Sequence, residues 1–388
     1  MSGPCDEAFR VMADRLGGIS CDADPVGTLR DPAGLTGWTL PVVEALMIAG
    51  AVLALLHAVR TWRRTGDPAG PALWSAAVAF VLILEPPLYF PRQFGISEYL
   101  DVLFVHNVFS VQFLFDRMPL YIVALYPACF YLACALVTRL GVFRRHGRVV
   151  GAVCVGFVNH CFYEIFDHLG PQLRWWAWNT GAAVNDPALG SVPLVSTVIF
   201  GFLAPALLVF WWRTLFPEPA PEPAGRGPLG APGVAVRVLL VGVLTTVSLP
   251  VFSAPVSYLT LTDTPNRAVM AAVLYTAIAV AAVVAVAAVA RSAPADAPAT
   301  GDRFLDRYAL LHGTVYLAVF ALLWAAATPD LLAAEGGRTG DGAPVGNPFY
   351  ALACAAVCVW VLWRAARLAP AARTPETGHP ARTSPQTA

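Results

Sequence analysis

The chain has 388 residues, of which 57% are hydrophobic and 13% are charged, and its formal net charge is zero. Soluble globular domains carry about 25% charged residues, so this composition excludes an ordinary soluble domain. All basic residues are arginine, and they are scattered along the chain. Nucleic-acid binding needs a clustered basic face, so we expect no nucleic-acid partner.

Residues 1–38 form the first region, which we predict to be an extracytoplasmic N-terminal tail. Its first ten residues are polar and acidic, and they lack the apolar core of a signal peptide, so we expect no cleavable signal. The tail contains Cys5 and Cys21, which an oxidising compartment could pair, and the sequence leaves that disulfide open. The other six cysteines lie in apolar stretches and are predicted to be core residues.

Nine apolar stretches follow, and each approaches the roughly 20 residues that a helix needs to cross a bilayer. They are Thr39–Val59, Pro71–Phe90, Pro119–Val137, Val149–Phe166, Val192–Trp212, Val234–Phe252, Ala268–Ala290, Tyr308–Ala327 and Phe349–Leu368. A soluble bundle does not contain so many helices that are apolar on every face. The sequence therefore predicts an all-α fold, a polytopic membrane helix bundle with about nine transmembrane helices.

The distribution of arginine predicts how this bundle is oriented. Segments that follow the odd-numbered spans contain 17 of the 25 arginines, and cytoplasmic loops carry such an excess. We therefore expect the N-terminus outside and the C-terminus in the cytoplasm. The predicted location is the cell membrane, that is, the inner or plasma membrane, with multiple passes.

Residues 96–116 are apolar enough to resemble a tenth span. At 100° per residue, however, Glu98, Asp101, Gln112 and Asp116 fall within about 60° of one another, which is typical of an amphipathic helix. Inserting this segment would also move the arginine-rich loop at 139–148 to the outside. We therefore predict a helix that lies on the outer surface or re-enters the membrane there.

The remaining composition divides the chain into two membrane halves. Residues 39–213 form a five-helix half, and 234–368 form a four-helix half. A Pro/Gly-rich cytoplasmic linker at 214–233 separates them, and 369–388 is predicted to be a disordered cytoplasmic tail. Polar residues concentrate in the first half, which we predict to be the functional one. No internal repeat is evident, which argues against the inverted-repeat transporter folds.

Ionisable residues inside a bilayer are costly and therefore mark candidate sites. His160, Glu164 and Asp167 lie on one face of the fourth span, because positions i, i+4 and i+7 align on a helix. Glu85 lies near the outer end of the second span. These four are the candidate catalytic residues.

Three interpretations of this polar stripe remain open. It could be a hydrogen-bond cluster that holds helices together, or a proton-transfer site in which a buried carboxyl group acts as a general acid. The third is a metal site formed by His160, Glu164 and His106. No cofactor is predicted, although a divalent metal is not excluded.

Candidate substrate-binding residues flank the stripe on the predicted outer side. They are Trp175, Trp176, Trp178, His106 and Asn107. The three indoles are typical of an interfacial aromatic belt. The alternative is a lid over an apolar substrate, in which the ring faces stabilise a developing cation.

Three short motifs in this region carry a family resemblance: Asp167-His168-Leu169-Gly170-Pro171, Trp176-Ala177-Trp178 and Gly190-Ser191-Val192-Pro193. They resemble a stretch of the membrane carotenoid-biosynthesis family that includes carotenoid hydratases. That resemblance covers at most residues 85–210. It implies protonation of an isoprenoid double bond followed by addition of water, with Asp167 as the acidic residue. As a whole, the chain resembles polytopic membrane proteins of actinobacteria.

Two functions are therefore compatible with the sequence. The first is an enzyme that acts by acid/base chemistry on a long apolar, isoprenoid-like substrate entering from the outer leaflet. The second is a transporter or an accessory membrane subunit, in which the polar cluster is a proton relay or a packing device. The expected partners are the lipid bilayer and an apolar small molecule. A transporter needs a polar path to the inner side, where the spans contain little beyond His57, Arg237 and His312.

Overall fold

The computed structural model describes residues 7–16, 19, 23–97, 100–217, 230–260, 266–292 and 302–367. Its helices are α1 Glu7–Arg15, α2 Thr39–Thr65, α3 Ala69–Tyr89, α4 Leu120–Arg139, α5 Val142–Asp167, α6 Leu194–Leu215, α7 Ala231–Thr260, α8 Arg267–Ala290, α9 Arg303–Leu332 and α10 Pro348–Arg367. Cys5, Cys21, Glu98, the tail at 369–388 and most of the linker lie outside the described residues.

In this described part of the chain, nine helices, α2 to α10, are long and apolar enough to cross a membrane. The prediction of nine long apolar helices is therefore confirmed. Several helices run past their predicted ends, as α2 does from Val59 to Thr65. Arginine is a good helix former whose long stem can lie along apolar surface, so Arg60, Arg63 and Arg64 continue the helix beyond its apolar part. The orientation of the bundle remains a prediction.

Helices α4 and α5 form the centre of the bundle. Within their apolar stretches 83% and 78% of the residues are buried, against 22% in both α7 and α8. Helix α5 contacts α4, α6, α8 and α10. The polar stripe on α5 therefore faces protein rather than lipid, as the high cost of exposing ionisable groups to lipid requires. The six described cysteines are buried and unpaired, as predicted.

Helix α6 contains a π-helical segment, Ile199–Leu203, directly opposite the stripe. Pro205 has no N–H to donate to the Gly201 carbonyl four residues earlier, and its ring would clash with that carbonyl in a regular helix. The freed Gly201 carbonyl instead accepts a hydrogen bond of 2.8 Å from Asn159 Nδ2 on α5. The proline thus explains both the local change of helix type and the close contact between α5 and α6.

Short strands cover one end of the bundle, which we call the capped end. Strand β1 is Gly27–Leu29, β2 Phe104–His106, β3 Val111–Phe113, β4 Met118–Pro119, β5 Trp176–Trp178, β6 Ala188–Leu189 and β7 Val192–Pro193. All pairings are antiparallel: β3 pairs with β1 and β4, β2 with β5, and β6 with β7. Helix α1 also packs here, with Phe9 and Met12 in a small apolar cluster that includes Val102 and Val105.

The predicted surface helix at 96–116 is wrong over its described residues, which contain β2 and β3 instead. Among the polar side chains that suggested an amphipathic face, Asp101 is exposed, whereas Gln112 and Asp116 are buried. Gln112 is fully buried and donates hydrogen bonds to the Asn107 and Asp116 carbonyls, while the Asp116 carboxylate pairs with Arg30. These groups provide hydrogen-bond and ion-pair partners for backbone and side-chain groups within a folded loop. Their spacing therefore does not reflect a water-facing helical surface.

Candidate functional site

The stripe on α5 forms a buried polar group around Glu164. Its Oε2 accepts a hydrogen bond of 3.3 Å from the Thr197 hydroxyl on α6, and it lies 3.3 Å from His168 Nε2. Its Oε1 lies 3.7 Å from His160 Nδ1. His160, Glu164 and His168 are all at most 1% exposed. The sequence prediction that His160 and Glu164 lie together is therefore confirmed, and α6 and the end of α5 complete the group.

Helix α10 also contributes to this polar group. The Tyr350 hydroxyl lies 2.8 Å from His160 Nε2, and His160 Nδ1 lies 3.3 Å from the Thr197 carbonyl. The carbonyl can only accept, so we assign the ring proton to Nδ1 and let Nε2 accept the tyrosine proton. Helix α10, from the predicted four-helix half, thus contributes a side chain to this polar group, while the prediction that the first five spans form the functional half stays a prediction. His160 and Tyr350 are 190 residues apart in the sequence, so no local sequence pattern could have predicted their contact.

Asp167 lies one turn beyond Glu164 and has one free carboxylate oxygen. Oδ2 accepts a hydrogen bond of 3.0 Å from the Ser196 hydroxyl. Among the described residues, Oδ1 has no hydrogen-bond partner although Asp167 is fully buried. Buried polar atoms are normally satisfied, so a free oxygen at this position marks a place where a water or a ligand group can bind.

Glu85 presents a similar arrangement from a different helix. The Tyr126 hydroxyl on α4 donates a hydrogen bond of 2.5 Å to Oε1, and Oε2 has no hydrogen-bond partner among the described residues. Glu85 is 2% exposed. A hydrogen bond to a charged carboxylate is shorter and stronger than one between neutral groups, so Tyr126 fixes this side chain in position.

Glu85 and Asp167 line the same small cavity, whose volume is about 30 Å³. A water needs roughly 10–15 Å³ of such space, so one or two waters fit. Among the described residues, no arginine lines it. Seven aromatic rings do: Phe104, Tyr126, Tyr163, Phe166, Trp176, Trp178 and Phe200. The cavity therefore combines two acidic groups with an aromatic wall.

His106 lines the same cavity from β2. Its Nδ1 lies 3.0 Å from the Tyr121 hydroxyl, and its Nε2 has no partner among the described residues. Burial lowers the pKa of His106 to about 3, because the apolar surroundings disfavour the imidazolium. His106 is therefore neutral at physiological pH and serves as a hydrogen-bonding group rather than as a cation.

The predicted substrate-binding residues separate into two sets. Trp176 and Trp178 line the cavity together with His106. Trp175 is not among its lining residues, since its Nε1 donates to the Thr39 hydroxyl at 3.0 Å and its ring stacks on Phe166. Asn107 donates from Nδ2 to the Arg174 carbonyl at 2.7 Å and accepts from the Val108 N–H. Trp175 and Asn107 are thus part of the scaffold that supports β2 and β5.

The proposed metal ligands are not brought together. His160 and Glu164 belong to the polar group on α5, whereas His106 is held by Tyr121 and lines the cavity. Within the described ranges, no cluster of three or more His, Cys, Asp or Glu side chains has the spacing of a metal site. The absence of a cofactor stays a prediction, and the use of a divalent metal stays open.

Sequence reasoning missed the residues that hold the acids, namely Tyr126, Ser196, Thr197 and Tyr350. Each is a hydroxyl-bearing residue within an apolar span, and interhelical hydrogen bonds in membranes commonly use such groups. Their type could therefore have been noticed. Their pairing with particular acids depends on how the helices pack, and it could not have been predicted from the sequence.

A second polar cluster lies away from the cavity, in the bundle interior. His57 Nδ1 on α2 lies 2.9 Å from the Tyr131 hydroxyl, and the Tyr308 hydroxyl lies 3.1 Å from His312 Nδ1. The rings of His57 and Tyr308 stack with centroids 4.5 Å apart, which joins the two pairs. His57 and His312 are two of the few polar residues that the sequence placed in the inner halves of the spans.

The fold and the site define a polytopic helical membrane protein with a buried pair of carboxyl groups at one end of its bundle. No protein family, curated protein or solved structure matches the chain. The resemblance to the carotenoid-biosynthesis family therefore stays a prediction that rests on the three short motifs.

Proposed function

We propose that this protein is a membrane enzyme that adds water to a carbon–carbon double bond of a long apolar, isoprenoid-like lipid. One observation carries the proposal: Glu85 and Asp167, from two different helices, share a water-sized cavity with an aromatic wall. Addition of water to an alkene needs an acid, a water molecule and a means to stabilise the intermediate cation. The cavity has a carboxyl group that can serve as the acid, space for a water and aromatic faces for the cation.

The reaction begins with transfer of the Asp167 carboxyl proton to one alkene carbon, whose π electrons form the new C–H bond. The adjacent carbon becomes a carbocation, which the faces of Trp176, Trp178 and the phenylalanine rings stabilise. A water oxygen then donates a lone pair to the cation, and Glu85 accepts the proton that this water releases. The products are the alcohol, a protonated Glu85 and an ionised Asp167. A second water then accepts the Glu85 proton and donates one of its own protons to Asp167, which restores both carboxyl groups.

The two acids have similar surroundings, but the hydroxyl hydrogen bond is shorter at Glu85 (2.5 Å, from Tyr126) than at Asp167 (3.0 Å, from Ser196), which supports their different roles. We assign the base to Glu85 because the Tyr126 hydroxyl stabilises its carboxylate form. The assignment of Asp167 as the acid follows from the resemblance of its motif to the carotenoid-biosynthesis family. Glu164 is less suited to either role, because it does not line the cavity and lies among His160, His168 and Thr197. We assign that polar group to positioning: it holds α5 and α6 together next to Asp167.

The cavity is too small for a whole lipid. Its volume of about 30 Å³ has room for one or two waters, so the reacting carbons would displace part of this water and the rest of the chain would lie outside the cavity. Enclosure of the reacting carbons serves the chemistry, because it limits the water that reaches the cation and strengthens the interactions around it.

Comparison of apolar lipids tests this proposal, because hydration adds the mass of one water to the substrate whatever its chain length. A strain that lacks the gene is complemented with wild type, Asp167→Asn, Glu85→Gln or the exposed control Asp330→Asn. We expect wild type and the control to restore a lipid that is one water heavier than its precursor. We expect both cavity variants to accumulate the precursor at normal protein levels. Restoration by Asp167→Asn and Glu85→Gln would contradict the proposal.

The other function suggested by the sequence, a transporter or an accessory subunit, is a separate prediction. The cluster of His57, Tyr131, Tyr308 and His312 is the feature to which a proton path would attach. Identical lipid profiles in all of these strains, together with a proton flux in vesicles that His57→Gln removes, would favour transport over hydration.

A further inference from the structure

A larger cleft adjoins the cavity at the capped end. Its volume is about 870 Å³, and it lies between residues 171–193 and the loop at 333–347 that joins α9 to α10. Trp176 and Trp178 border both spaces. The two indole rings therefore stand between the cleft and the cavity, which makes the cleft an approach to the carboxyl groups.

The cleft carries an excess of positive charge. Arg15, Arg174 and Arg338 line it, and the only acidic residue among its described lining is Asp341. Asp341 forms an ion pair of 2.7 Å with Arg174, which connects the two walls. The charges of Arg15 and Arg338 are therefore not balanced within the cleft lining, and this favours an anionic ligand.

The cleft also has buried donors without acceptors. Among the described residues, the Nε1 atoms of Trp176 and Trp178 and the Ser191 hydroxyl have no hydrogen-bond partner, and Trp176 is only 3% exposed. An indole N–H can only donate. Because unpaired buried donors are unfavourable, a ligand with several acceptor oxygens would complete this surface.

We propose that the cleft binds the phosphate or carboxylate head of an amphipathic lipid, whose chain passes Trp176 and Trp178 to reach the cavity. The head would accept hydrogen bonds from Arg15 and Arg338, since oxyanions form strong charge-assisted hydrogen bonds with guanidinium groups. A cleft of this volume is within the range of small-molecule sites and is far larger than a free phosphate ion. This inference rests on the proposed function and narrows its substrate, because it adds an anionic head to the long apolar chain that is hydrated.

Binding of a model amphiphile tests the inference without turnover. Full-length protein in maltoside micelles is titrated with radiolabelled dodecyl phosphate, and unlabelled dodecyl phosphate, inorganic phosphate and dodecanol are used as competitors. The cleft variant is Arg15→Gln/Arg338→Gln. The matched control is Arg63→Gln/Arg367→Gln, which removes two exposed arginines at helix ends remote from the cleft lining. Gel filtration checks that both variants remain folded.

We expect the cleft variant to bind dodecyl phosphate about tenfold or more weakly and the control to bind like wild type. Inorganic phosphate and dodecanol should compete poorly, because each lacks one half of the amphiphile. Unchanged binding by the cleft variant would overturn the inference. If inorganic phosphate competed as well as dodecyl phosphate, the cleft would be a site for free anions, and the proposal that it binds a lipid head would be overturned. Equal competition by dodecanol would overturn anion recognition.

The same titration on Asp167→Asn separates this inference from the proposed function. One result is that Asp167→Asn binds dodecyl phosphate normally and also shows a normal lipid profile. That result would overturn the proposed hydration reaction and leave the assignment of the cleft unchanged. Loss of the hydrated lipid in Asp167→Asn, with no dodecyl phosphate binding by wild type, overturns the cleft assignment and leaves hydration of a neutral lipid.

Discussion

Asp167 shows how a single side chain combines a fixed and a free oxygen. Ser196 holds Oδ2 at 3.0 Å, while Oδ1 is free of hydrogen bonds among the described residues. The serine therefore decides which way the free oxygen points. Positioning of a reacting group to within a fraction of an ångström strongly affects rates, so the serine should matter although it takes no part in the chemistry.

We predict that Ser196→Ala lowers formation of the hydrated lipid by about tenfold or more without loss of the protein from the membrane. The matched control is Ser248→Ala, whose hydroxyl bonds to Leu244 and Trp211 away from the cavity. Product formation per amount of membrane protein is the measurement. Equal losses in both variants would indicate a general effect on folding rather than positioning of Asp167.

His106 gives a prediction about pH. Burial lowers the pKa of His106 to about 3 in the folded protein, whereas an unfolded histidine titrates near 6.5. Between these values the unfolded state binds a proton that the folded state does not. Stability contributed by neutral His106 is therefore complete above about pH 6.5, and it falls by up to about 1.4 kcal/mol per pH unit on acidification to about pH 3.

Thermal unfolding in detergent checks this dependence. The unfolding temperature of wild type should fall between about pH 7 and pH 5, and the fall should be smaller for His106→Gln, which does not titrate. A fall of the same size in both proteins would mean that other groups cause the acid sensitivity and that His106 is not buried as a neutral ring.

Residue types in the site were predictable, but their neighbours were not. His160, Glu164 and Asp167 stood out because ionisable groups in an apolar helix are rare, and their common face followed from helical spacing. Trp175 was expected beside Trp176 and Trp178, yet alternate residues of an extended segment point in opposite directions. That alternation directs Trp176 and Trp178 to the cavity and Trp175 to Thr39.

At the scale of the element, the π-helical segment of α6 is the feature that brings two helices together at the polar group. A Cβ atom placed on Gly201 would lie 3.1 Å from Glu164 Oε1 and 3.2 Å from His160 Nδ1. These distances are shorter than ordinary van der Waals contacts, so only glycine fits without displacement of these side chains.

We predict that Gly201→Ala destabilises the protein by up to about 1–3 kcal/mol, because overpacking against the buried Glu164 and His160 outweighs the gain of about 1 kcal/mol from a better helix former. Gly34→Ala is the control, because a Cβ on Gly34 meets no atom within 4 Å. Unfolding temperatures of the two variants in the same detergent provide the comparison. Equal stability of Gly201→Ala and Gly34→Ala would mean that α5 and α6 are further apart than described.

The elements were predictable to the extent that length and apolarity define them. Nine helices long and apolar enough to span followed from nine apolar stretches, because a bilayer-crossing helix needs about 20 such residues. The strands of the capped end did not follow from the sequence. Strand β2 is only three residues long. It is stabilised by β5, whose first residue lies 70 residues after the last residue of β2, so no local sequence pattern predicts this strand.

At the scale of the whole molecule, orientation is the prediction with the widest consequences. The arginine count predicts that the capped end, with its cavity and cleft, lies on the outer side of the membrane. A lipid substrate would then approach from the outer leaflet.

Reporter fusions test this orientation. We expect green fluorescent protein fused after Ala388 to fluoresce, because it folds in the cytoplasm. We expect alkaline phosphatase fused after Asn179, in the loop between α5 and α6, to be active, because it folds only outside. An inactive phosphatase at Asn179 together with a non-fluorescent C-terminus would reverse the orientation.

The central claim is that Glu85 and Asp167 carry out a proton transfer to carbon inside one cavity. The most direct measurement is conversion of precursor lipid by wild-type membranes in heavy water, followed by mass spectrometry after exchange back into ordinary water. The carboxyl proton exchanges with solvent, so the product should keep one deuterium bound to carbon, and Asp167→Asn membranes should form no product. A hydrated product without carbon-bound deuterium, or undiminished product from Asp167→Asn, would contradict the account.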